Sequence, residues 1–135
     1  MFKKSSILAA LAVIALVAFA APAAHAADNV AMTKIVNTSD IEIGFDYRIG
    51  GGAWHSVRLA PGQSYGIWAG FTFPGSYVHS PIEIRFDGDL RPGMNTWRSF
   101  LPLVRYNSYV DWNRAQTYYF TYDGPSRMFL AMFPG

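Results

Sequence analysis

Between Ser39 and Ser56 the chain reads SDIEIGFDYRIGGGAWHS, and Ile41, Ile43, Phe45, Tyr47 and Ile49 occupy alternate positions, with Glu42, Gly44, Asp46 and Arg48 between them. A two-residue period is that of a strand with one buried and one wetted face, whereas a helix would scatter the same five apolar residues around its circumference. β-Branched and aromatic side chains also suit a pleated surface. Gly50, Gly51 and Gly52 can take the positive φ angles of a tight reversal, and the chain resumes from Trp54 to Leu59, so the stretch is predicted to be a hairpin. The pattern returns from Ser80 to Ser99, SPIEIRFDGDLRPGMNTWRS, where Ile82-Glu83-Ile84-x-Phe86-Asp87 matches Ile41-Glu42-Ile43-x-Phe45-Asp46. Matching Trp54-x-Ser to Trp97-x-Ser gives the second copy a turn two residues longer. The echo reads as one hairpin unit used twice, by duplication or by the shared bias of β-rich composition.

The N-terminus carries Lys3 and Lys4, an apolar run from Ile7 to Ala21, and Ala24-His25-Ala26 with small residues where signal peptidase requires them. The run is shorter than the roughly 20 residues of a membrane-spanning helix. Residues 1–26 are therefore expected to be a signal peptide and 27–135 a single domain, placed in the periplasm or secreted after cleavage near Ala26. Without Lys3 and Lys4 the eleven basic residues become nine, balancing nine acidic ones. A near-neutral chain lacks the basic footprint of a nucleic-acid binder, and no polybasic segment supports attraction to anionic lipid. There is no cysteine, so neither disulfides nor thiol chemistry contribute. Of the ten Phe, four Trp and eight Tyr only Phe2 and Phe19 fall in the leader, and each buried ring removes roughly 150–250 Å² from water. Aromatic packing is the expected substitute for crosslinks.

Further strands are predicted at Ala31 to Asn37, Gln63 to Trp68, Thr117 to Tyr122 and Met128 to Phe133, with turns at Asn37-Thr38-Ser39-Asp40, Ala60-Pro61-Gly62 and Asp123-Gly124-Pro125-Ser126. Leu103 to Tyr106 is read as a continuation of the second return strand after a bend at Pro102, or as an edge. Two stretches, Ala69 to Pro81 and Asn107 to Gln116, read as long loops. About eight short strands with frequent turns and no convincing helix predict an all-β antiparallel sandwich, immunoglobulin-like or jelly-roll. A transmembrane barrel is disfavoured because prolines cut the strands below the roughly 9–11 residues such spans need.

Four acids, Glu42, Asp46, Glu83 and Asp87, share the outward parity of the two hairpins. Two of them on one strand lie about 13 Å apart, beyond the roughly 5–9.5 Å of glycosidase pairs. Cross-strand salt bridges to Arg48 and Arg85 are the expected arrangement. Asp87-Gly88-Asp89 offers too few oxygens for calcium and reads as a turn. His55 and His79 have no zinc-ligand spacing, and no nucleophile elbow occurs. The chain is thus expected to need no metal or cofactor and to catalyse nothing. The residues that suggest binding are the loop aromatics Phe71, Phe73, Tyr77, Tyr106, Tyr109 and Trp112, which lie among Pro, Gly and polar neighbours. These would either engage a ligand or fold back over the ends of the sandwich. The expected role is a non-catalytic binding module for a glycan or an envelope protein. The alternatives are a membrane-active sandwich that inserts the same aromatics into lipid, and a secreted hydrolase using a carboxylate pair.

Overall fold

A computed structural model describes residues 30–71 and 78–135, so the predicted leader and two of the loop aromatics, Phe73 and Tyr77, lie outside the described residues. Nine strands form two sheets: β1 Val30–Asn37, β2 Ile43–Ile49, β3 His55–Leu59, β4 Ser64–Gly70, β5 Ile82–Asp87, β6 Trp97–Phe100, β7 Arg105–Asn107, β8 Gln116–Tyr122 and β9 Leu130–Pro134. One sheet runs β4-β1-β8-β9, with β7 also paired to β1, and the other runs β3-β2-β5-β6. They pack face to face as a β-sandwich. Their inner faces meet through Ile35, Ile43, Phe45, Ile67, Ile84, Phe86, Tyr118 and Phe120, all buried. Phe120 lies at the middle of this contact, 5.8 Å from the Phe45 ring and 5.1 Å edge-on from Phe86.

Both predicted hairpins form, and they lie side by side with β2 and β5 paired antiparallel at the centre of the second sheet. Ile43 pairs with Leu59 and Ile84 with Phe100, at the same separation along the chain. The second turn is therefore not two residues longer, and the two tryptophans are not equivalent: Trp97 sits opposite Asp87, while the residue opposite Asp46 is Ser56. Gly50 and Gly51 have φ of 62° and 74°, a region L-residues disfavour, and Gly52 N–H donates to the Ile49 carbonyl at 3.1 Å to close the first turn.

Three expectations change. Ile41 is not on the buried face of β2; it is partly exposed, because Asn37 holds residues 38–42 in a turn. The Asn37 amide donates to the carbonyls of Ile41 (2.7 Å) and Leu59 (2.9 Å), and its oxygen accepts from the Ser39 N–H and hydroxyl. The Asn37-Thr38-Ser39 sequon is therefore closed to a glycan in the folded protein. The stretch after Pro102 does not extend β6: it crosses to the other sheet and pairs as β7 with Val30 to Met32. That move adds a ninth strand. Finally, β8 runs parallel to β1, one exception in an otherwise antiparallel assembly.

The loop after β7 covers part of the outer face of the first sheet. Met32 has outward parity yet is fully buried, its sulfur accepting a hydrogen bond from the Asp111 N–H at 3.2 Å. Trp112 begins a single 3-10 turn, Trp112–Arg114, and lies flat on Gly66, where a Cβ would come within 2.5 Å of the indole.

At the opposite end of the sandwich Asp40 accepts hydrogen bonds from the Tyr122 hydroxyl (2.5 Å) and from the Arg127 guanidinium, which also stacks over the Tyr122 ring at 4.7 Å. Arg127 is held at φ 61°, an uncommon angle for a non-glycine residue. Arg127 first, then Tyr122, lowers the Asp40 pKa from 3.8 to about 2. A depressed carboxylate contributes stability that is complete above the unfolded value and is lost as pH falls through the folded one. The urea midpoint of the wild type should therefore exceed that of Asp40→Asn by a constant margin above pH 5, and the margin should shrink between pH 4 and pH 2. An equal margin at pH 2 and pH 7 would sink this account.

Candidate functional site

The outward face of the second sheet holds the densest ordering of functional groups in the described chain. Strand parity sends Asp46 and Arg48 of β2, Ser56 of β3, Glu83 and Arg85 of β5, and Trp97 and Ser99 of β6 to the same side. Register then decides partners. Asp46 faces Arg85 and Arg48 faces Glu83 across the β2–β5 seam, giving salt bridges of 2.9 and 2.7 Å. The expected cross-strand pairing is thus the one found. Ser56 donates to the second oxygen of Asp46 (2.8 Å) and Ser99 to the second oxygen of Glu83 (3.0 Å), so each carboxylate is held on both sides. Arg58 and Glu42 extend the ladder outward at 2.7 Å.

Two indoles stand on this lattice. The guanidinium carbons of Arg85 and Arg48 lie 4.0 and 4.5 Å from the Trp54 ring centre, and Arg85 lies 5.8 Å from that of Trp97. Such contacts draw on the attraction between a cation and the negative face of an aromatic ring, and the planar guanidinium suits them. Arg85 is therefore fixed by Asp46 at its head and flanked by tryptophans. Trp97 remains 60 % exposed. Arg48, with Ser99 second, holds the Glu83 carboxyl below its ordinary pKa.

The fourth acid of the pattern behaves differently. Asp87 accepts from the backbone N–H groups of Asp89 and Thr96, both at 2.9 Å, and caps the turn between β5 and β6. Asp89 is buried and gripped by both nitrogens of the Arg91 fork at 3.0 and 2.8 Å, which lowers its pKa. With those oxygens committed to the protein, Asp87-Gly88-Asp89 works as a turn. No cluster of three potential metal ligands occurs among the described residues.

The loop aromatics separate into two places. Phe71 and Tyr106 come together at one rim, 5.8 Å apart and edge-on, with His79 5.7 Å from Tyr106. Phe71 and His79 form an isolated bridge just beyond β4. His79 Nδ1 lies 2.8 Å from the Ser80 carbonyl, which fixes the proton on that nitrogen. Tyr109 is 59 % exposed. Trp112 folds onto Gly66, on the outer face of the first sheet and not over an end of the sandwich. His55 packs beside Tyr47 at 5.2 Å. Sequence reasoning did not single out Trp54 and Trp97 as binding residues. For Trp97 the signal was parity, since it lies opposite the outward Asp87, whereas Trp54 precedes β3 and is placed by its contacts with Arg48 and Arg85.

No protein-family model matches this chain, and no curated protein matches it. The functional reading rests on the geometry alone.

Proposed function

We propose that this chain is an exported, non-catalytic binding module for a glycan, held on the outward face of the second sheet. The observation that carries the reading is Trp97 and Trp54 flanking Arg85 above a lattice of paired carboxylates, guanidinium groups and hydroxyls. A pyranose presents an apolar C–H face that stacks on an indole, and hydroxyls at its edge that exchange hydrogen bonds with planar acceptors and donors. A flat sheet meets an extended polysaccharide without rearranging.

A general acid in glycoside hydrolysis needs a carboxyl with a raised pKa, and Glu83 is shifted the other way by Arg48, which speaks against that role for Glu83. The rim of Phe71 and Tyr106 supports a second reading, insertion into a lipid surface. Tyr106 is more than half exposed, as are Tyr109 and, on the segment leading to β7, Leu101 and Leu103.

Tryptophan fluorescence titrated with a panel of soluble polysaccharides tests the proposal. A saturable change is expected for at least one of them, and Trp97→Ala should weaken that binding by about three- to tenfold, the scale of one aromatic contact. The fold should be unchanged, because Trp97 is exposed. A flat response across the panel, with co-sedimentation on neutral phosphatidylcholine vesicles that is lost in Tyr106→Ala, would replace the glycan with the membrane.

A further inference from the structure

At the edge where β6 of one sheet lies over β9 of the other, the sandwich opens into a cleft of about 580 Å³. Phe86, Phe100, Tyr118, Ala131, Met132 and Pro134 line it together with Arg98 and Ser99, so its surface is polar and apolar in about equal parts. The volume is within the roughly 300–1,000 Å³ of small-molecule sites. One wall residue is charged. Arg98 pairs with Phe86, which is 3 % exposed and belongs to the core, so the arginine side chain has inward parity. Its stem passes over Gly88, where a Cβ would sit 2.8 Å from the Arg98 Nε.

Arg48, Arg58, Arg85, Arg91, Arg114 and Arg127 each reach a carboxylate. Arg98 and Arg105 reach none among the described residues, and of these two only Arg98 lines the cleft, its guanidinium making no hydrogen bond or ring contact there. A guanidinium offers five donors in a fixed fork whose geometry matches a carboxylate. Set beside the Phe86, Phe100 and Met132 side chains, it complements a ligand with a carboxylate at one end and hydrocarbon at the other.

We propose that this cleft binds a single-chain carboxylate amphiphile, a fatty acid, with the carboxylate on Arg98 and the chain along Phe86, Phe100, Tyr118 and Met132. The site is separate from the tryptophan face, because Arg98 and Trp97 are consecutive on β6 and point to opposite sides of the sheet. Leu103 N–H donates to the Tyr118 hydroxyl at 2.8 Å, which ties the crossing segment to the cleft wall.

Calorimetric titration with dodecanoate below its micellar concentration, and with dodecanol as the uncharged counterpart, tests this. The wild type should bind dodecanoate saturably with one site. Arg98→Leu should weaken dodecanoate by about tenfold or more, the scale of a charge-assisted pair, while leaving dodecanol within about twofold. Met132→Trp, which fills the cleft and leaves Arg98 in place, should weaken both. Equal dodecanoate affinity in the wild type and Arg98→Leu would overturn the proposal, as would an absence of saturable binding. So would concentration-dependent dimerisation of the ligand-free protein that Met132→Trp abolishes, since the cleft would then belong to a second copy. Glycan binding should be unaltered in Arg98→Leu, so the two sites fail or succeed separately.

Discussion

Asn37→Ala should lower the unfolding free energy by about 3–5 kcal/mol, because it orphans several buried backbone groups at once. Asn37 is fully buried, and its amide makes four hydrogen bonds: two to the carbonyls of Ile41 and Leu59, two from Ser39. Its backbone N–H and carbonyl bond to Gln63 and Gly62 at 2.9 and 2.8 Å. One side chain thus ties the turn after β1 to the corner between β3 and β4, which belong to different sheets. Alanine takes the amide away from the Leu59 carbonyl and the Ser39 N–H, while the Ile41 carbonyl keeps only the Ser39 hydroxyl at 3.1 Å, and each group left unpaired costs roughly 1–3 kcal/mol when water cannot reach it. Asn37→Asp should be no milder, since a carboxylate would aim oxygen at two carbonyl oxygens. The check is the urea midpoint at unchanged slope. A loss under 1 kcal/mol would show that the turn re-forms around water.

The second large effect is expected at Phe120. The ring has no exposed surface and touches Phe45 and Phe86, one from each hairpin, so it is the point where the two sheets lock. Phe120→Ala should cost about 3–5 kcal/mol, the range for phenylalanine truncation in a well-packed core. A domain of this size has roughly 5–15 kcal/mol in total, so melting should fall by more than about 10 °C. A shift of only a few degrees would mean that the surrounding rings collapse into the space. The two substitutions should not be additive. Asn37 and Phe120 are register partners on the parallel β1–β8 seam, and the Phe120 carbonyl accepts from both the N–H and the hydroxyl of Thr38.

Most of the strands and their inward faces were legible along the chain. Phe45, Ile84, Tyr118 and Phe120 fall on the buried parity that their alternation predicts, and both glycine- or proline-marked hairpins form, the second two residues away from the register that the Trp-x-Ser match gave. The four outward acids were also legible, and so was the choice of Arg48 and Arg85 as partners. Ile41 was misplaced because a buried asparagine outweighed the periodicity for two residues. The break after Pro102 could be read, but not that the chain would cross to the other sheet.

Alternation along a strand reports which way each side chain points, because the backbone period is a local property of φ and ψ. That much, together with a cysteine-free core built from aromatics, was settled residue by residue in the sequence. Which strands become neighbours is settled by hydrogen bonds and ring contacts between segments far apart in the chain, and these acquire meaning only once two sheets close on a common core. The tryptophans around Arg85 and the solitary inward Arg98 both arise at that stage. Each is an ordinary residue on its own strand and becomes part of a site only through the strand laid beside it or the sheet laid against it.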